Sequence, residues 1–256
     1  MDLFSFAPIS VLLDLAYSLV EGIAALVFPL TGAASGAIAI ILLTMIVRTS
    51  LIPVGISQVK AEWTRRRLHP QILALQRRHR KNPSLLQRKT TALYKAENTS
   101  QFAGILPALA QAPVLSLVYA LFVRTTVDGH TNDLLTESPF GIPLGSSFVQ
   151  IVTQGSPGVV VYLAMFAVMA GVAWLSRRIS LGLVLPNPDA PESTATINQV
   201  LSWMPFLTVV FAAFVPLAAT IYLAVTTCWT LVERALLRRR YWREVDPGSP
   251  LTPAVA

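Results

Sequence analysis

Residues 36–60 read GAIAIILLTMIVRTSLIPVGISQVK, an apolar run broken only by Arg48 until Lys60 closes it. A helix needs about 20 mostly apolar residues to cross a hydrocarbon core about 30 Å thick, so residues 36–57 are read as a first membrane span. The rest of the chain follows the same pattern. Residues 102–124 and 157–176 give a second and a third span. Residues 200–232 then run on without a charge. As one helix they would be roughly 50 Å long at about 1.5 Å per residue. Pro216, which has no N–H to donate, is the natural break. That leaves spans at 200–215 and 216–237, five in all.

Composition points the same way. Of 256 residues, 54% are hydrophobic and 13% charged, and the mean hydropathy is +0.58. Soluble domains carry about a quarter charged residues, so a soluble globular protein is excluded. The single cysteine, Cys228, lies in an apolar run and permits no internal disulfide. The chain reads as an all-α polytopic membrane protein: a five-span helical core, an N-terminal amphipathic interfacial helix and a cytoplasmic helical hairpin.

Charge orients it. Eleven of the 20 Lys and Arg fall between positions 60 and 95; Arg177 and Arg178 follow the third span, and Arg234, Arg238, Arg239, Arg240 and Arg243 close the last. Residues 125–156 hold no Lys or Arg, but Asp128, Asp133 and Glu137. Basic loops face the cytoplasm. The segments 58–100, 177–199 and 238–256 are therefore expected inside, with 125–156 and the N-terminus outside. Two crossings separate each basic segment from the next, as the hydropathy requires.

In residues 1–30, Ser10, Asp14, Tyr17, Ser18 and Glu21 recur at spacings of three and four, one polar stripe on a helix from 8 to 27. Such a helix lies on the outer leaflet. The alternative, a sixth span, would bury Asp14 and Glu21. The start Met1-Asp2 has no basic region of the kind a signal peptide carries. In the basic segment, Leu68, Ile72 and Leu75 and then Leu86, Leu93 and Tyr94 repeat at helical spacing around a turn at Asn82-Pro83-Ser84. Pro70 is expected to kink or start the first of these helices. Without interleaved aromatics, the hairpin's charge reads as a solvated inner loop near lipid headgroups, and no specific nucleic acid is expected.

Arg48 stands about twelve residues from each end of the 36–60 run, roughly 18 Å at helical rise. A charge at mid-bilayer costs about 2.5 kcal/mol or more, so Arg48 should face protein or a water-filled cavity. Apart from Glu233 near the inner end, the five spans contain no Asp or Glu. Thr44, one turn earlier, shares its face, and Gln111 lies at similar depth in the second span. Trp203, Tyr222 and Thr226 add polar groups in the last two spans. Together these predict a wet, positively charged groove. No Walker A, G-x-G-x-x-G, H-E-x-x-H or G-x-S-x-G sequence occurs, and His69, His79 and His130 are scattered. No catalytic residue, cofactor or metal site is expected.

Three stretches carry a family resemblance: residues 41–48 (ILLTMIVR) with Leu51-Ile52-Pro53; residues 69–76 (HPQILALQ) through Leu93-Tyr94-Lys95 to Gly104-Ile105-Leu106-Pro107 and Gln111-Ala112-Pro113; and Trp203-Met204-Pro205 with Pro216 and Tyr222. Over about residues 8–240 the chain resembles the YidC-type membrane protein insertases, the family shared with the mitochondrial oxidase-assembly and chloroplast Albino insertases. It departs from the family pattern at Ser100-Gln101, where Asn-Pro is common, and at Pro216-Leu217-Ala218, where Pro-Ser-Gly is common. It shows neither a large periplasmic domain nor a long basic tail, so tail-mediated ribosome tethering is expected to be weak.

The resemblance implies an insertase of a bacterial plasma membrane, with nascent membrane proteins as clients and the ribosome and Sec translocon as partners at the cytoplasmic face. It implies a groove around Arg48, open to cytoplasm and lipid, that works without nucleotide. The competing readings are a small anion transporter or channel with Arg48 as its binding charge, and a lipid-metabolising enzyme. The first would show internal repeats. The second would need a nucleophile or metal ligands at one depth. Neither signal is evident.

Overall fold

The computed structural model describes residues 7–100, 102–103, 109, 112, 116, 118–124, 126–127, 130–185 and 192–245. The helices are α1 (Ala7–Thr31), α2 (Ser35–Ser50), α3 (Ile52–Arg78), α4 (Pro83–Ala96), α5 (Phe148–Thr153), α6 (Val159–Gly182), α7 (Glu192–Leu201), α8 (Met204–Ala212) and α9 (Leu217–Val245). Residues 118–123 are helical as well. The fold is all-α, with one two-residue hairpin pairing Thr126 with Thr131 and Val127 with His130. The chain forms two compact units. The first comprises Met1–Ser50, Pro113–Gly182 and Thr196–Leu231, the second Leu51–Ala112, Leu183–Ala195 and Val232–Ala256.

In the first unit, α1 buries Leu13, Ala16, Val20 and Ala24, spaced by three and four, in one core with Ala37, Ile40 and Leu43 of α2. Asp14, Ser18 and Glu21 remain exposed. The half-buried Tyr17 accepts the Asp133 N–H on its hydroxyl at 3.3 Å. Residues 130–147, read from the sequence as a loop, supply much of this core through Leu134, Leu135, Ile142 and Leu144. Their apolar positions follow no helical or strand period because short 3-10 turns at Asp133–Thr136 and Pro139–Gly141 present them.

The same segment closes helix ends, whose terminal N–H and C=O groups have no partner within the helix. At the start of α2, Glu137 Oε2 accepts the Gly36 N–H at 2.7 Å and the Ser35 hydroxyl at 3.4 Å. A Cβ on residue 36 would overlap that carboxylate, so the approach needs glycine. At the start of α9, Leu217 and Ala218 donate their N–H groups to the carbonyls of Ser146 (2.8 Å) and Leu144 (2.9 Å). The buried Asn132 donates to Leu121 O (2.8 Å) and Arg124 O (2.9 Å), where the helix at 118–123 ends. Tyr162 of α6 donates its hydroxyl to Ser146 O at 2.6 Å. The beginnings of α2, α6 and α9 thus meet on one segment.

Among the described residues, three stretches are long and apolar enough to cross a membrane: Leu13–Ser50, Val159–Gly182 and Thr194–Ala212. The first contains two helices joined by a 3-10 turn, Gly32–Ala34. In the other two, only 17% and 11% of the most apolar window is buried in protein. Val160, Leu163, Val168 and Leu175 of α6 and Leu207, Val210 and Phe211 of α8 are exposed, the pattern of helices whose solvent is lipid.

Helix boundaries differ from the sequence expectation at three places. The 36–57 span is not one helix: α2 stops at Ser50 and α3 starts at Ile52, with Pro53 in its first turn. Arg48 therefore lies in the last turn of α2 rather than midway along a rod. The apolar helical stretch expected at 200–215 begins at Thr194, and the helix restarts at Met204 ahead of Pro205. Finally, α9 continues through residues 238–245, read from the sequence as tail.

The second unit contains the hairpin. Its first helix, α3, runs unbroken through Pro70 and buries Val59 and Leu68. The second begins with Asn82 as cap, its side-chain oxygen accepting the Leu85 N–H at 3.1 Å, and Pro83 in the first turn. Glu62 of α3 accepts Arg238 of α9 through Nε (3.1 Å) and Nη2 (3.0 Å), with Arg66 one turn along at 3.9 Å. Arg67 pairs with Glu97. Lys60 lies 5.3 Å from the centre of the Tyr241 ring. A Cβ on Gly55 would overlap the Glu233 carboxylate. These contacts account for the helical continuation of α9.

Candidate functional site

The site is built around Arg48. The guanidinium belongs to the last turn of α2, where a cation is favoured by the helix dipole. The residue is 6% exposed, and its charge acts on the phenol of Tyr222 in α9. Tyr222 is buried as well, and Thr226 lies one turn further along α9, beside the Tyr222 hydroxyl, its own hydroxyl buried. Arg48, Tyr222 and Thr226 are thus brought together from two helices.

Aromatic rings frame the trio. The Tyr119 centroid is 6.3 Å from that of Tyr222 and 6.4 Å from that of Phe211. The Phe122 centroid is 5.9 Å from that of Tyr222. Phe122 and Phe211 are missing from the sequence reading. Their signal was there: Tyr119 and Phe122 are one helical turn apart, on the face that meets Tyr222.

The other sequence candidates divide. Thr44 is fully buried, and its hydroxyl donates to Ile40 O at 2.6 Å within its own helix. It shapes the wall below Arg48 with its polar group satisfied. Gln111 lies outside the described residues. Trp203 stands at the α7–α8 link, its ring under the Arg177 guanidinium at 4.2 Å. Among the described residues, no three His, Cys, Asp or Glu side chains gather as a metal site would require. What the arrangement offers chemically is a fixed cation, two hydroxyls and aromatic faces inside an otherwise apolar, lipid-facing bundle.

Comparison with known proteins adds the family. Residues 27–244 match the family described as the 60Kd inner membrane protein. The chain belongs to that family. It is the YidC/Oxa/Alb family that the 41–48 stretch and the Pro-rich start of the second span resemble. Relatives within it include the inner membrane protein ALBINO3 of Arabidopsis thaliana chloroplasts, 28% identical over 220 residues, covering 78% of this chain and 46% of the relative. The membrane protein insertase YidC of Streptomyces avermitilis is 27% identical over 237 residues, covering 86% and 54%. That of Clostridium perfringens is 32% identical over 119 residues, covering 46% and 50%. The chain spans about half the length of these curated relatives.

Proposed function

We propose that this family member is a membrane protein insertase of a bacterial plasma membrane. The observation that carries the reading is Arg48, a buried cation set beside Tyr222 and Thr226 in a lipid-facing bundle, in a chain whose relatives are named insertases. Arg48, Tyr222 and Thr226 line a hydrophilic groove, with Thr44 packed beneath them. Trp203, stacked under the Arg177 guanidinium, stands outside this set. Arg48 attracts an acidic residue in the short outer tail of a client. Water around it lowers the cost of holding that charge partway across. The turn at Ser202–Trp203 breaks the helical path through Thr194–Ala212, and so shortened it thins the bilayer locally. The client's apolar segment then moves into lipid, driven by its own burial. No nucleotide is consumed.

In this reading five spans place the N-terminus outside and the C-terminus in the cytoplasm, with residues 1–30 on the outer leaflet. The hairpin receives clients and faces the ribosome or the Sec translocon. It has a cleft of about 430 Å³ with Ala74, Leu75 and Leu93 as apolar floor and Arg78 and Lys89 as basic rim, suited to an apolar segment flanked by acids.

The test is reconstitution of the purified chain into liposomes, with synthesis of a single-span client that carries an acidic N-terminal tail. Protease protection of the tail is scored. Protection that falls with Arg48→Ala and Arg48→Glu, and persists in part with Arg48→Lys, supports the mechanism. Protection unchanged by Arg48→Ala overturns the role of the charge. Protection no higher than in empty liposomes overturns autonomous insertion.

A further inference from the structure

At the end of α6, two arginines point their charge at tryptophans. Arg177 Nε donates to Ser202 Oγ at 3.1 Å. That oxygen is free to accept because the Ser202 proton goes to Gln199 O at 2.6 Å. The guanidinium carbon lies 4.2 Å from the centre of the Trp203 ring, well inside the range of about 6 Å for cation–π attraction. Trp203 in turn packs on Phe206, centroids 5.2 Å apart. One donor and one face of Arg177 are thereby fixed, which sets the plane of the group and leaves its Nη edge for a ligand. Arg178 lies 5.5 Å from the Trp174 ring centre. Neither arginine forms an ion pair with a carboxylate among the described residues.

The surroundings say what reaches that edge. Trp203 and Trp174 are 52% and 54% exposed. Val168 and Leu175 on α6, and Val200, Leu201, Met204 and Leu207 across the α7–α8 link, are exposed beside them. In a membrane protein such a surface is covered by acyl chains, and exposed tryptophans mark the depth of the headgroups. The anion found at that depth is the lipid phosphate, and a guanidinium of fixed plane matches its oxygens in bidentate fashion.

We propose that Arg177, oriented by Ser202 and Trp203 and assisted by Arg178, binds the phosphate of an anionic phospholipid where α6 leaves the membrane. Two neighbouring cations without a carboxylate favour a headgroup that carries net negative charge over one with its own ammonium. The inference depends on the chain's place in a membrane and not on the insertase reading. It gives Trp203 a task other than lining the groove.

Native mass spectrometry of the full chain in mild detergent, titrated with phosphatidylglycerol and with phosphatidylcholine of the same acyl chains, tests it. Wild type retains phosphatidylglycerol preferentially. Arg177→Gln lowers that retention roughly five-fold, the effect of one basic group near the surface, and Arg177→Gln with Arg178→Gln abolishes the preference. Ser202→Ala keeps the charge but releases its orientation, and gives an intermediate loss, so the test survives poor folding of the arginine variants. Wild-type retention by the double variant overturns the proposal. So does full displacement by the water-soluble headgroup glycerophosphoglycerol, which would mark a site for soluble anions.

Discussion

Glu137 accepts the backbone N–H of Gly36 at 2.7 Å, and so an acid 101 residues away in the chain closes the positive end of the helix whose last turn carries Arg48. Both ends of the α2 dipole are met by opposite charge. Replacing Glu137 by Ala should cost about 1–2 kcal/mol, the range for losing a helix cap. Gly36→Ala, which forces the carboxylate away, should cost a similar amount. The two together should cost less than their sum, because each removes the same contact. Thermal unfolding of the single and double variants in one detergent checks this; strict additivity would show that the contact is not shared.

Asn132 offers a sharper contrast. Its amide donates to two carbonyls at the end of the helix at 118–123. Asn132→Asp replaces the donor by an anion facing those same oxygens, and should destabilise by more than the roughly 1–3 kcal/mol of Asn132→Ala. Equal melting temperatures for the two variants would remove Asn132 from its capping role.

Tyr222 separates packing from polarity. Tyr222→Phe keeps the ring pairs with Tyr119 and Phe122 and should cost about 0.5–1.5 kcal/mol, the range for one lost hydrogen bond, while reducing insertion of acid-tailed clients if the hydroxyl serves Arg48. Tyr222→Leu should also lose about 0.5–1.5 kcal/mol for each aromatic pair. Melting curves and protease protection, measured on the same preparations, distinguish the two effects.

In the second unit, Gly55→Ala should cost at most about 1 kcal/mol, because the group it displaces, the Glu233 carboxylate, ends a flexible side chain and Ala favours helix over Gly. Glu233→Ala should relieve it. Limited proteolysis of the hairpin is the readout, and failure of the second change to rescue the first would place the clash elsewhere. The Glu62–Arg238 pair is partly exposed, so a double-mutant cycle should give a coupling of only about 0.2–1 kcal/mol, shrinking at high salt.

What could be read from the sequence followed from periodicity and composition. The apolar runs located α2, α6 and the α8–α9 pair, and Asn82-Pro83 located the start of α4, because a cap followed by proline is a local signal. Arg48 stood out because an isolated charge in an apolar run has few innocuous explanations. Three features stayed hidden. The break at Leu51 depends on how Pro53 starts a new helix rather than on hydropathy. The order of residues 130–147 arises from caps on helices distant in sequence. Trp203 looked like a groove residue by depth alone, and only its stacking on Arg177 gave it a different neighbourhood.

Gly36 and Glu137 are 101 residues apart, and the carbonyls of Leu144 and Ser146 meet N–H groups from the start of α9. During synthesis the front of α2 therefore stays open until residue 137 has been made. The front of α9 can close only once residue 218 has followed. Closing such distant contacts late is slow. The chain's own assembly thus includes an interval in which helices have formed but their ends are not yet fastened.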